Sequence, residues 1–526
     1  MDARFVAQPR FDTSSRIALR NGRILDVEAG QYMPAGTTLV VRGGTIESVA
    51  DAASEPAQGD ADVRWDLGGR AVLPGLFNTH THLPMVIPAL AMRLRDLAAA
   101  RRFAAAQVER NMADCLAAGV THVRDALVGD LSSNRRLGER IARGEIPGPR
   151  LHRCVQVGQL GGAESPEHRW TEALTHRLFG LPYLSYADPN AGTIAFAPEA
   201  DEPSVRAAVD RAIDEREADA IKLYDMRVKR LSYEPGATLM DQAQLDAAVD
   251  QARKRGVPAT MHHVSVESFR RGLRAGVSSL AHTPIDGPLD DVDAESFVRA
   301  GCILEPTLSI AYDLCWRGTS GRFADHHRLT QLDELREQSY RELVERHWVA
   351  ELQGAAMAGF GRAKAGHTRL AGLVDLSPAL RHYAGTISHG IDNACKLLRA
   401  GATFGCGNDA GAVPRTPAMV GLELALFEQF VGAGGASARR VALRSVTIDG
   451  AAALGVANRF GSISPGKVAD LVVLDGDPLE DLSIIGRPVA ALFMDGKLVV
   501  DNGHLARGVA AAGASGPISS PRIPPA

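Results

Sequence analysis

The chain has 526 residues, too long for one ordinary domain and long enough for a barrel with an accessory domain. Its 45% hydrophobic and 23% charged content is ordinary for a soluble globular protein, and a formal net charge of -4 gives no reason to expect nucleic acid or an anionic membrane as partner. No apolar run approaches the roughly 20 residues of a spanning helix. The start Met1-Asp2-Ala3-Arg4-Phe5-Val6 lacks the basic stretch and apolar core of a signal peptide. Six cysteines without CxxC spacing read as reduced thiols, so a cytoplasmic setting is expected.

Residues 1–15 are polar and irregular, an expected loose arm. From Ile17 to about Leu73 the pattern is short strands and turns. Ile17-Ala18-Leu19-Arg20 runs into Asn21-Gly22, a tight hairpin signal; Thr38-Leu39-Val40-Val41-Arg42 runs into Gly43-Gly44 and a further strand. Then Val72-Leu73-Pro74-Gly75 leads to His80-Thr81-His82. In an extended backbone, residues i and i+2 share a face, so these two imidazoles can hold one metal ion.

From here apolar strand-like runs alternate with helix-length segments at 94–117, 203–217, 240–255 and 264–275, the pattern of a parallel α/β architecture. Polar residues recur at or near the C-terminal ends of these runs. Lys222 follows Ala218-Asp219-Ala220-Ile221. His262 follows Ala259-Thr260-Met261, His282 follows Ser279-Leu280-Ala281, and Asp409 follows Phe404-Gly405-Cys406-Gly407-Asn408. In a (β/α)8 barrel all strand C-termini open on one face, and catalytic groups collect there. Between the seventh strand (Cys302 to Thr307) and the eighth at Ala402 lies an enlarged segment, about 309–400. It reads as an added helical layer or as a lid above the site. Strands return at Leu471 to Leu474, Val489 to Met494 and Leu498 to Val500, with Asp495-Gly496 as a hairpin turn. A tail at 509–526, rich in Ala, Gly, Ser and Pro, is expected to be disordered. The expected domains are therefore a β-sandwich built from 16–72 and 461–508, and a (β/α)8 barrel over 73–460.

These residues resemble the metal-dependent amidohydrolase superfamily, in its prolidase-like and imidazolonepropionase-like branch, which includes ochratoxinase-like amide hydrolases. The resemblance rests on Ala71-Val72-Leu73-Pro74-Gly75 with His80 and His82, and on Gly119-Val120-Thr121-His122-Val123-Arg124-Asp125. It rests further on Gly144 to Arg150 and on the closing run Gly461 to Asp475. It implies the same barrel and sandwich, and homo-oligomeric assembly. Asn78 stands where many members carry Asp, which should change a supporting hydrogen bond and no ligand. The common His-x-His-Gly becomes His262-His263-Val264-Ser265, a departure that bears on substrate.

Two divalent ions, zinc first among them, suit these donors. His80, His82 and Asp409 would hold one and His262 and His282 the other. The resemblance implies that Lys222 bridges them as a carbamate, formed when its neutral amine takes up carbon dioxide; N6-carboxylation of Lys222 is thus expected. Two ions roughly 3.5–4 Å apart would hold a shared water as hydroxide, with Asp409 moving the proton from that water to the leaving nitrogen. Tyr224, two residues past Lys222, can reach the substrate, as can Arg415 on the loop after Asp409. His389, before strand eight, and His263, although it alternates to the opposite side of its strand from His262, are further candidates for substrate contact. The expected reaction is hydrolysis of a small-molecule amide: a dipeptide or an N-acyl or N-aroyl amino acid, ochratoxin-type aryl amides included. The alternatives are a mononuclear cyclic-amide (imidazolone-type) hydrolase and a catalytically inactive binding or assembly subunit.

Overall fold

The computed structural model describes residues 16–50, 63–83, 97–126, 128–159, 192–225, 240–309, 389–410, 415–432 and 435–506. The arm 1–15, most of the 309–400 segment and the tail 509–526 lie outside the described residues.

Eight parallel strands curl into one sheet in chain order: β1 (Leu76–Thr81), β2 (Val120–Asp125), β3 (Arg150–Gln159), β4 (Ala220–Asp225), β5 (Ala259–His263), β6 (Ser279–Ala281), β7 (Ile303–Glu305) and β8 (Thr403–Phe404). The two end strands meet. Thr79 N donates to Cys406 O at 2.8 Å, Asp409 N to His80 O at 2.8 Å, and His82 N to Ala410 O at 2.7 Å. The sheet thus bends back on itself, consistent with the expected barrel. One further strand, Thr193–Phe196, pairs in parallel with the end of β3.

The helices that alternate with these strands begin on side chains suited to that position. Asp130, Asp201, Asp241, Ser265 and Asp290 each accept a hydrogen bond from the backbone three residues on. Helices Val266–Ala275 and Asp291–Ala300 end at Gly276 and Gly301, both left-handed, where a side chain would be strained. Their buried Phe269 and Phe297 stack at 5.6 Å. Each such ring contributes about 1.5–3 kcal/mol by leaving water. No helix among the described residues is long and apolar enough to cross a membrane.

Two more sheets come from the chain ends. One is four-stranded, in the order Thr45–Ala50, Thr38–Arg42, Arg16–Arg20, Val63–Asp66. The other is seven-stranded and joins Arg23–Asp26 and Ala71–Pro74 to Leu471–Leu474, Ala491–Met494 and Lys497–Asp501. Ile17, Leu19 and Leu39 of the first sheet share one buried apolar cluster with Val72, Leu471 and Phe493 of the second. This is the packing expected of a sandwich.

The hairpin expected at Asn21-Gly22 does not form. Arg16–Arg20 and Arg23–Asp26 belong to different sheets, so the turn carries the chain from one layer to the other. Asn21 takes the left-handed φ of 54° that the dipeptide favours, but a Cβ on Gly22 would lie 2.7 Å from Leu67 Cδ1, within the packed layer. Gly43-Gly44 and Asp495-Gly496, by contrast, join antiparallel neighbours with φ of 58° and 81°, and of 49° and 70°. At Gly75 the chain passes from the seven-stranded sheet into β1. Any Cβ there would meet Thr121 Oγ1 at 2.3 Å, so this crossing requires glycine.

Candidate metal centre

The C-terminal ends of β1, β5 and β6 and the loop after β8 bring the expected ligands together, with Lys222 in the middle of β4 and not at its end. The seam between β1 and β8 is tight: a Cβ on Gly407 would sit 2.4 Å from His80 Cβ. Only glycine lets Asp409 reach the His80 carbonyl. Three non-glycine residues at this mouth hold a left-handed backbone: His282 (φ 72°), Thr307 (φ 46°) and Asp409 (φ 49°). Each such conformation costs on the order of 1–3 kcal/mol and persists where the surrounding packing imposes it.

His80, His282 and Asp409 each offer a ligand atom, and these lie within 4.8 Å of one another. His82 Nε2 is 3.0 Å from Asp409 Oδ1, and His80 Nε2 is 3.7 Å from the same oxygen. His282 Nε2 lies 3.0 Å from His262 Nδ1. The first three donors take two residues, His80 and Asp409, from one of the ligand groups read from the sequence and one, His282, from the other, so the two groups form one continuous cluster. Lys222 is buried below it, close enough that its charge acts on His80, His262 and His282.

Burial and the neighbouring charges tune these groups. Desolvation first, then the Lys222 charge, holds the His80 imidazole well below its ordinary value. Desolvation and His282 do the same to His262. His282 is brought to about 4, chiefly by burial. Neutral imidazoles are the form that binds a metal. Burial pushes the Asp409 carboxyl up, but the contact with His82 and the charges of His80, His82 and His282 outweigh it, so Asp409 is ionised at neutral pH. Burial lowers the Lys222 ammonium below the ordinary lysine value. His80 Nδ1, His262 Nε2 and Asp409 Oδ1 are buried without a well-formed hydrogen bond. The neutral imidazoles of His80 and His282 and the ionised Asp409 carboxylate, converging within 4.8 Å and with Asp409 Oδ1 orphaned, fit a divalent cation.

Tyr224 stacks on His262 with ring centroids 4.4 Å apart, so it borders the cluster. His263 does not join it. Its ring packs on Phe269, and Nδ1 lies 2.9 Å from Ala281 O, on the helix side of β5. Arg415 is buried, and its charge favours the carboxylate of Glu423. His389 is half-buried just ahead of helix Ile391–Arg399.

Asn78 shows what the departure from Asp does. Its Nδ2 donates to Asn408 Oδ1 at 2.8 Å and to Pro417 O at 2.9 Å, tying β1 to the loop that carries Asp409. An aspartate would set a buried anion against two oxygens. Asn78→Asp is expected to cost on the order of 1–3 kcal/mol, read as a lower urea midpoint. An unchanged midpoint would show that this clamp carries no stability.

Sequence reasoning missed the buried Arg124–Glu305 pair, in which Arg124 Nη2 is 2.5 Å from both Glu305 oxygens. A glutamate within the apolar Ile303-Leu304-Glu305 run was the available signal. It missed Thr307 as well, whose hydroxyl offers no such signal.

The amidohydrolase family model matches residues 71–499. No curated protein matches the chain. Among solved structures, a prolidase complexed with N-methylphosphonate-L-proline is 22% identical, with 92% of this chain and 99% of that chain covered and a TM-score of 0.62. Ochratoxinase from A. niger is 17% identical, with 93% and 96% covered and a TM-score of 0.63. A Xaa-Pro dipeptidase with bound methionine in its active site is 21% identical, with 92% and 99% covered and a TM-score of 0.61. At these identities the likeness shows a shared fold.

Proposed function

The chain belongs to the amidohydrolase family of hydrolytic enzymes, and on that premise we propose that it is a two-metal hydrolase of an amide joined to an amino acid. Dipeptides and N-acyl or N-aroyl amino acids are the substrate classes. The observation that carries this reading is the convergence of His80, His282 and Asp409 at one mouth, with His82 and His262 beside them and Lys222 buried beneath. The prolidase, dipeptidase and ochratoxinase neighbours support the choice of bond.

His80, His82 and Asp409 would hold one ion; His262 and His282 would hold the second, with Lys222 between them. Bound divalent ions supply an activated water and polarise a carbonyl. The remaining work falls to side chains. Asp409 is ionised and buried, so it accepts a proton from the attacking water and returns it to the departing nitrogen. Its close contact with His82 keeps the carboxylate aimed at the cluster. The lowered Lys222 supplies a neutral amine more readily than an exposed lysine. That amine adds to carbon dioxide, forming one N–C bond and releasing one proton, and the product is an anionic carbamate that can bridge two cations. Tyr224, stacked on His262, would donate to the oxyanion or bind a substrate carboxylate.

His80, His282 and Asp409 alone would suit a single ion, as in a cyclic-amide hydrolase. The buried Lys222 is what favours two.

The test is amine release from a panel of dipeptides and N-acyl amino acids, before and after chelation and with zinc restored. Cleavage of a subset, lost on chelation and regained with zinc, is expected. Cleavage of cyclic amides alone would refute the linear-amide reading.

A further inference from the structure

We infer that β7 and the turn that follows it, which offer no ligand of their own, set the tautomers of two ligand histidines: Thr307 positions His282 and Glu305 positions His80. The inference rests on the metal-binding reading of the cluster.

At His282 the chain of bonds has a direction. Nδ1 lies 2.6 Å from Thr307 Oγ1, and Pro306 O, which can only accept, lies 2.8 Å from the same hydroxyl and draws its single proton. The hydroxyl therefore accepts from Nδ1–H, and the lone pair is left on Nε2, the atom facing His262. His282 N donates to Glu305 O at 2.8 Å, which ties His282 to β7. Thr307 is itself held in place. The next two amides, Leu308 N and Ser309 N, donate to the buried Glu423 carboxylate at 2.6 and 2.8 Å. Those bonds fix the loop that keeps Thr307 in its left-handed conformation.

At His80, Nδ1 lies 3.4 Å from Glu305 Oε2 and has no hydrogen-bond partner among the described residues. An ionised carboxylate only accepts, so it favours Nδ1–H and leaves Nε2, which faces Asp409, as the donor to an ion. Arg124 Nη2 donates to both Glu305 oxygens in this fully buried place and holds the carboxylate behind His80; Arg124 also donates to Ala453 O at 3.3 Å. A second carboxylate can thus stand behind the cluster without competing as a ligand.

The experiment combines selective histidine 15N spectra of the metal-free protein with zinc titration, for wild type, Thr307→Val, Thr307→Ser and Glu305→Gln. Wild-type His80 and His282 should both show the Nδ1–H tautomer. Thr307→Val should lose that signature at His282 and bind zinc about 10–100-fold more weakly. Thr307→Ser should restore both, which separates the hydroxyl from any folding defect. Glu305→Gln should change the signature at His80 alone. An Nε2–H tautomer at His282 in wild type overturns the inference whether or not zinc binds. Zinc affinity and spectra unchanged in Thr307→Val overturn it as well. A wild type with the expected tautomers and no zinc affinity would instead refute the metal reading, and with it any role for β7 and its turn in binding.

Discussion

Asp409→Asn is expected to reduce kcat by about 10²–10⁴-fold at saturating zinc, the range for losing a positioned general base and acid. The substitution isolates chemistry from folding. Asp409 sits at φ 49°, a left-handed conformation that asparagine adopts readily. Its backbone N–H to the His80 carbonyl, 2.8 Å, does not depend on the side chain. The amide would lose the negative charge that the three nearby imidazoles favour and one acceptor oxygen, while keeping the side chain's shape. Steady-state kinetics on the best substrate of the panel reads the effect. A variant with near wild-type kcat would remove Asp409 from the reaction.

Lys222→Met should lower the metal content from two ions to one per chain and reduce turnover on the order of 10²–10³-fold. Methionine fills a similar buried volume, so the change removes the amine with little loss of packing. A stability readout accompanies it. In the folded chain Lys222 is lowered below its ordinary value of 10.5. Below that value the unfolded chain binds more protons than the folded one, so metal-free wild type gains stability as pH rises toward 10.5 and loses it as pH falls. The methionine variant lacks this contribution, so its urea midpoint should depend less on pH over that window. Equal pH profiles would mean that burial does not act on Lys222 as described.

Much of the site was legible because its chemistry is local. His80 and His82 share a face by strand alternation, and Lys222, His262, His282 and Asp409 each follow a short apolar run. The same alternation placed His263 on the helix side, where it packs on Phe269. What could not be read depends on contacts between distant segments. Arg124 and Glu305 are 181 positions apart and meet only when β2 and β7 line the same interior. Thr307 matters because a backbone held by Glu423, more than a hundred residues away, turns its hydroxyl to His282. Asn21-Gly22 has a hairpin's local preference, yet the partners of its flanking strands lie elsewhere, in Thr38–Arg42 and Ala71–Pro74. Local propensity specified the turn and tertiary packing chose its use.

The central claim is that one buried cluster holds two ions with Lys222 between them. Elemental analysis of zinc-saturated, gel-filtered protein tests it most directly, with amide hydrolysis followed on the same samples. The account predicts about two zinc ions per chain, with hydrolysis rising as the second is filled. Full activity at a single ion per chain, unchanged in Lys222→Met, would contradict it.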